Sequence, residues 1–407
     1  MQKHRIHTAF KPFFLLFSVF LLTSGGLLAT EESAENHATE PTEEHATDEV
    51  HATHGDDSHQ EKEAFNAGEM IMHHVMDSYD IHLMDIGGQA VSIPLPIILY
   101  STEDGLSVFL SSAFHHGHAA KNRYILNQGH IYRLGEKNPY ANETEHLNAT
   151  EALSLGYSEQ NWGGFFAGDA GSFIDVSITK TVAGILITVL LMFLIFGSVA
   201  KAYKRGANEA PKGFQALMET LILFIRDEIA KPSIGHKYER FMPFLLTIFF
   251  FIWFANILGL IPFIGGFNVT GNIAVTLVLA LFTFIVTTIN GNKTYWGHIF
   301  ATPGVPGWLL PLMIPIELLG VFTKPLVLCL RLFANITAGH IIILSFMSLI
   351  FIFADIYGAG AGYGASIVSL LFGIFMNTME LLVAFLQAYV FTLLSALYFG
   401  SAVEEHH

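Results

Sequence analysis

Seven polar side chains sit inside two long apolar runs near the C-terminal end of this chain, and their spacing suits the handling of charge. Glu317, Lys324 and Arg331 stand seven residues apart in the first run, followed by Asn335 and His340, and Glu380 and Gln387 stand seven apart in the second. On a helix, where each residue turns about 100°, side chains seven apart share a face. Glu317, Lys324, Arg331 and Asn335 thus form one polar stripe. His340, nine residues past Arg331, points to the opposite side.

A guanidinium at mid-membrane costs roughly 3 kcal/mol on insertion scales. A chain that keeps Arg331 inside the apolar stretch PLVLCLRLFANITAGH is therefore expected to use it. Intramembrane titratable groups ordinarily line water-filled paths or proton relays, which makes His340, Glu380 and Glu317 candidates for carrying protons. Structural roles stay open for the others. Lys324, next to Pro325, can snorkel or cap, Asn335 and Gln387 can be hydrogen bonds between helices, and Arg331 can belong to a buried ion pair.

The elements that must position these residues are membrane helices. Of 407 residues, 52% are hydrophobic and only 14% charged, with 36 phenylalanines, the composition of an all-α polytopic membrane protein. The net charge of -15 is concentrated in residues 31–63, with 12 acidic residues against one lysine, so it says little about the apolar part. The single cysteine, Cys329, excludes an intrachain disulfide and a cysteine-based metal cage. No cofactor, metal or nucleic-acid partner is expected.

Residues 1–30 place Lys3, Arg5 and Lys11 before an apolar run and end in small residues, as a signal peptide cleaved near Ala29 does; an uncleaved anchor is the alternative. Residues 31–66 are acidic and histidine-rich, with HAT recurring at His37, His45 and His51, and read as disordered. Residues 67–175 read as a small α+β or β outer domain. In it VSIPLPIILY and LSVFLSS are two strands around Asp104 and Gly105, RYILNQGHIYRL is a hairpin around Gln128 and Gly129, and Glu69 to Tyr79 is a helix. The HHGH cluster at His115, His116 and His118 lacks partnered metal-ligand spacing and reads as a surface loop.

Residues 176–407 form the membrane domain, with five expected spans. These are 178–200, about 241–263, 272–288, and two long tilted helices at 306–353 and 366–402, joined through the glycine-rich loop DIYGAGAGYG. An amphipathic helix at 213–232 is expected to lie along the interface. Lys201, Lys204, Arg205 and Lys212 follow the first span, so that end is cytoplasmic, the outer domain periplasmic and the C-terminus cytoplasmic. Asn256 inside the second span is expected to make an interhelix hydrogen bond.

From about Ile178 onward the chain resembles subunit a, the stator channel subunit of the F-type rotary ATP synthase membrane sector. The segments that carry the resemblance are IELLGVFTKPLVLCLRLFANITAGH and LVAFLQAYVFTLLSALYFGSA. The resemblance implies a non-catalytic subunit in the bacterial inner membrane that works in ATP synthesis and proton transport, against a ring of c subunits and beside b-type peripheral stalk subunits. Arg331 is then the arginine facing the ring, with Asn335 and Gln387 polar positions beside it. Glu317 marks a cytoplasmic exit path, Lys324 is secondary, and His340 and Glu380 are the outer half-channel pair. In many bacterial members a carboxylate holds the first position of that pair and a histidine the second; here the two are exchanged, which keeps one carboxylate and one imidazole in the path. Arg331 favours the charged form of a ring carboxylate and bars a direct leak between the half-channels. Two other classes stay open from sequence: a self-contained ion or solute transporter, which calls for inverted repeats and interrupted helices, and a periplasmic sensor on a membrane anchor.

Overall fold

The computed structural model describes residues 67–86, 89–142, 147–158, 173–205, 213–261, 266–300 and 308–404. The expected signal peptide and histidine-rich segment, Lys212, and the end of the second span at 263 lie outside these residues.

The outer region opens with helix α1 (Ala67–Val75) and three small antiparallel sheets. Strands β1 (Asp80–Ile86) and β2 (Gln89–Pro94) pair as a hairpin with a register shift between His82 and Met84. Strand β3 (Pro96–Ser101) pairs with β4 (Gly105–Leu110). The segment VSIPLPIILY is therefore two strands rather than one: neither Pro94 nor Pro96 has an N–H to give a ladder, so the chain changes sheets around Leu95. Alternate residues Ile97, Leu99 and Ser101 are buried, the two-residue period of a half-buried strand.

The HHGH cluster begins in a 3-10 helix, Ser111–Gly117, rather than a plain loop. Strands β5 (Tyr124–Asn127) and β6 (His130–Leu134) turn through Gln128 and Gly129, both with positive φ, as a two-residue hairpin requires. Helix α2 (Ala149–Ser154) is capped by the Asn148 side chain, strand β7 (Tyr157–Ser158) joins β6, and β8 (Phe173–Asp175) joins β3. Ile97, Leu99, Phe114, Tyr124, Ile131 and Phe173 form the core of this region.

The rest is helical. Helix α3 (Lys180–Arg205) is followed by a run from Phe214 to Gly259. That run consists of α4 (Phe214–Phe224), a π-helical stretch Ile225–Ala230, α5 (Lys231–Ile234), a 3-10 turn and α6 (Tyr238–Gly259). The stretch expected as one amphipathic helix at 213–232 thus changes to π geometry halfway, and Ile225, Ile229 and Ala230 are buried in the same apolar cluster as the longer helices. Helix α7 (Ile273–Ile289) starts at Asn272, whose side chain accepts from the backbone N–H of Ala274 at 3.0 Å. It bends by 103° into α8 (Lys293–Phe300).

Helices α9 (Leu310–Tyr357) and α10 (Ala359–Val403) make a hairpin with 48 and 45 residues in its arms. At 1.5 Å per residue these arms are about 70 Å long, more than twice the hydrocarbon thickness, so they tilt strongly or extend beyond it. The turn is Gly358 alone, at φ 84°. The glycine run after it is helical and not the loop its composition suggests. A Cβ at Gly362 would come within 2.7 Å of the Ala354 Cβ, so the missing side chain lets the two arms close directly over the turn. Among the described residues four helices are long and apolar enough to cross a membrane, or five if α7 and α8 count as one bent span.

Candidate functional site

Helix α9 has two faces. Val321, Leu328, Cys329, Leu332 and Ile336 are buried at steps of seven, one, three and four residues, which keeps them on one side of the helix as its inward stripe. There Thr276 Oγ1 meets Cys329 Sγ at 3.4 Å, and Thr337 donates to the Gly271 carbonyl at 3.2 Å. Lys324, Arg331 and Asn335 lie on the exposed face, and Glu317 is half-buried. Around Arg331 the exposed face is apolar, with Phe322, Leu326, Val327 and Leu330 open on α9 and Leu382 and Leu386 on α10. Arg331 therefore stands on a surface whose immediate exposed neighbours are largely apolar.

His340 and Glu380 are brought together across the hairpin, with Nδ1 3.8 Å from Oε1. Glu380 is 5% exposed, and neither carboxylate oxygen has a hydrogen-bond partner among the described residues. Both residues line a cavity of about 420 Å³. Asn268, also buried and with no hydrogen-bond partner for its amide among the described residues, lines it too. A buried carboxylate that the protein does not satisfy needs water, and this space is polar enough and large enough to supply it. Further inward, Asn256, Thr270, Ile336 and Ala384 close to a crevice with no room for a water molecule. Thr270 donates to the Asn256 side-chain oxygen there, and Asn256 reaches the Ala384 carbonyl at 3.4 Å, the interhelix link expected from sequence.

A second cavity, of about 230 Å³, lies lower on the hairpin. Glu317 and Lys324 line it, with His298 from α8 and Glu404 at the end of α10. Lys324 Nζ also sits 5.8 Å from the centre of the Tyr398 ring, a cation–π contact. Along the axis of α9, Arg331 is about 14 Å from His340 and about 21 Å from Glu317, and it lines neither cavity. Gln387, seven residues beyond Glu380, is buried.

Sequence reasoning did not find Gly339, Asn268, Lys180, His298 or Glu404. For Gly339 the reason is steric: a Cβ there would sit 2.8 Å from Glu380 Oε1, so only glycine leaves room for the carboxylate beside α9. The small-residue pair in TAGH was its one signal. Among the described residues no group of three or more histidine, cysteine, aspartate and glutamate side chains is arranged to hold a metal ion.

A family model described as the ATP synthase A chain matches residues 182–400, and one described as a domain of unknown function, DUF8433, matches residues 70–154. ATP synthase subunit a of Chloroherpeton thalassium is 48% identical over 244 residues, covering 58% of this chain and 70% of the relative. ATP synthase subunit a 2 of Chlorobaculum tepidum is 49% identical over 234 residues, covering 56% and 64%. ATP synthase subunit a of Myxococcus xanthus is 43% identical over 245 residues, covering 58% and 75%.

Proposed function

The chain belongs to the ATP synthase A chain family, and on that premise we propose that its two cavities are the two half-channels of the proton path in an F-type ATP synthase. The protein is the non-catalytic stator channel subunit: it carries protons to and from the carboxylates of a c-subunit ring and couples their flow to rotation. The observation that carries this reading is the spacing on one hairpin of two cavities lined by titratable side chains, with Arg331 between their levels on an open apolar face.

A proton enters through the His340 and Glu380 cavity and neutralises a ring carboxylate, which then turns into lipid without carrying an exposed charge. After rotation the carboxylate meets the Glu317 cavity and releases its proton. Arg331 faces the ring, keeps the arriving carboxylate ionised by its own fixed charge, and separates the two paths. Asn335 lies on the same face and Gln387 supports the bundle behind it. Each proton brings about 2.3 kcal/mol per 100 mV of membrane potential.

In this arrangement residues 1–30 are a signal peptide, 31–66 an acidic outer segment, 67–175 a periplasmic domain and 176–407 the channel domain of an inner-membrane protein. The basic residues after α3 put that end and the C-terminus on the cytoplasmic side, with α4 and the π stretch near the interface. The ring covers the apolar hairpin face, and b-type stalk subunits hold the protein against rotation. A self-contained transporter would use interrupted helices, whereas α9 and α10 run unbroken for 48 and 45 residues. Arg331→Ala in assembled complexes tests the assignment: proton-driven ATP synthesis is abolished while the ring still copurifies. Near-normal coupled synthesis would overturn it.

A further inference from the structure

The cavity that holds His340 and Glu380 is not walled by the long helices alone. His74 of α1, with Ser78 and His82 from the start of the outer region, line it together with Lys180 from the first turn of α3. The two outer imidazoles meet edge to face with ring centres 6.2 Å apart, and His74 Nδ1 lies 2.9 Å from the Met70 carbonyl oxygen.

This wall is fixed in place by contacts that span more than a hundred residues of sequence. Asp77 accepts from the backbone N–H of Thr181 at 2.9 Å and of Ser78 at 3.0 Å, so a side chain of the outer region caps the N-terminus of α3. The Lys180 N–H donates to the Ser78 carbonyl at 2.8 Å, and its Nζ donates to the His74 carbonyl at 3.3 Å. Ile81 and Leu95 belong to the same buried cluster as Phe249 and Phe250 of α6, and α1 packs against α9. The outer region is thus continuous with the core of the membrane domain at the place where the cavity opens.

We propose that the outer domain forms the mouth of the proton half-channel, and that His74 and His82 are the groups that first take up protons and hand them through cavity water to His340 and Glu380. This deepens the half-channel reading and rests on it. A cavity of about 420 Å³ holds on the order of ten waters, enough for a continuous chain between the two pairs. An imidazole has two ring nitrogens, so it can take a proton on one side and release one on the other, which is what a relay group at the mouth must do. At each passage one imidazole nitrogen gains a proton from the outer solution and loses one to cavity water, and no charge accumulates. The charged and titratable groups around these imidazoles are Asp77 and Asp80 of the outer region, Lys180 on α3, His340 on α9 and Glu380 on α10.

The test is passive proton conduction by the whole membrane sector in vesicles, read against pH on the outer-domain side from about 5 to 8. The His74→Gln and His82→Gln double variant is expected to conduct several-fold more slowly at the alkaline end, where proton supply limits, and to lose most of the outer-pH dependence. Glu380→Gln is expected to slow conduction at every pH. Wild-type conduction by the double variant beside a blocked Glu380→Gln would overturn the mouth and leave the half-channel standing; wild-type conduction by Glu380→Gln would overturn the half-channel itself. Should the double variant fail to assemble, His74→Cys is modified in the assembled complex with impermeant thiol reagents of opposite charge. A cationic adduct is expected to slow conduction more than an anionic one, and equal effects would overturn the proposal.

Discussion

His340 and Glu380 face each other across the hairpin with Nδ1 3.8 Å from Oε1, beside a cavity that can hold water. At that separation a shared proton passes through one intervening water or a small side-chain movement rather than along a direct hydrogen bond. On the half-channel proposal the pair needs one carboxylate and one imidazole, not a fixed order of the two. We therefore expect His340→Ala and Glu380→Gln each to slow proton conduction by about tenfold or more, about 1.4 kcal/mol or more in the barrier. The exchanged double variant, His340→Glu with Glu380→His, should conduct faster than either single variant. Conduction by the exchanged pair no better than by the singles would show that the order matters.

Gly339 makes that pairing sterically possible. Its Cβ would meet Glu380 Oε1 at 2.8 Å, and the clashing atom is the far end of a flexible side chain. Gly339→Ala is expected to leave the complex assembled, to displace the carboxylate and to slow conduction by about as much as losing one relay group, about tenfold. Shortening the acid with Glu380→Asp in the same chain should restore part of the rate. No effect from Gly339→Ala would mean that the carboxylate works from another rotamer.

Much of this arrangement was legible in the sequence because each polar residue breaks an apolar run, and such a break stands out whatever the fold. The seven-residue spacing predicts Glu317, Lys324, Arg331 and Asn335 on one face with His340 turned away; Lys324, Arg331 and Asn335 are exposed, Glu317 is half-buried and His340 lines a cavity. Three features were hidden for definite physical reasons. The glycine run after Gly358 has low helix propensity, yet close packing of Gly362 on Ala354 holds it helical. The residues of α1 and β1 reach the cavity through contacts such as Asp77 with Thr181, which leave no local pattern. Gln387 looks equivalent to Asn335 by polarity but is buried, because α10 turns that side toward the bundle.

Asp77 gives the junction of outer region and membrane helices a pH dependence. Burial pushes its carboxyl above the ordinary value of 3.8, against the pull of the hydrogen bonds from Thr181 and Ser78, and burial raises Asp175 in the same direction. The folded state then holds these protons to higher pH than the unfolded chain, so stability of this region falls as pH rises from about 3.8 through the raised values and is level beyond them. Asp77→Asn should flatten that slope while keeping the cap on α3, whereas Asp77→Ala should flatten it equally and lie about 1 kcal/mol below Asp77→Asn at every pH through loss of the cap. Hydrogen exchange over residues 67–86, followed against pH, reads both effects. An unchanged slope in Asp77→Asn would remove Asp77 as the cause.

The two cavities also make a prediction about sidedness. Asn377 is exposed and lines the His340 cavity, and Ser401 is exposed and lines the Glu317 cavity, while the single native cysteine, Cys329, is 1% exposed and gives little background. An impermeant thiol reagent added on the outer-domain side should label Asn377→Cys and spare Ser401→Cys, and the same reagent on the opposite side should do the reverse. On the half-channel proposal a proton uses both cavities in series, so modification at either position should slow conduction through the complex. The crevice inward of His340 is too narrow for water, so neither reagent should pass from one cavity to the other. Labelling of both cysteines from one side would mean a single continuous pore, and Arg331 would then no longer divide the path.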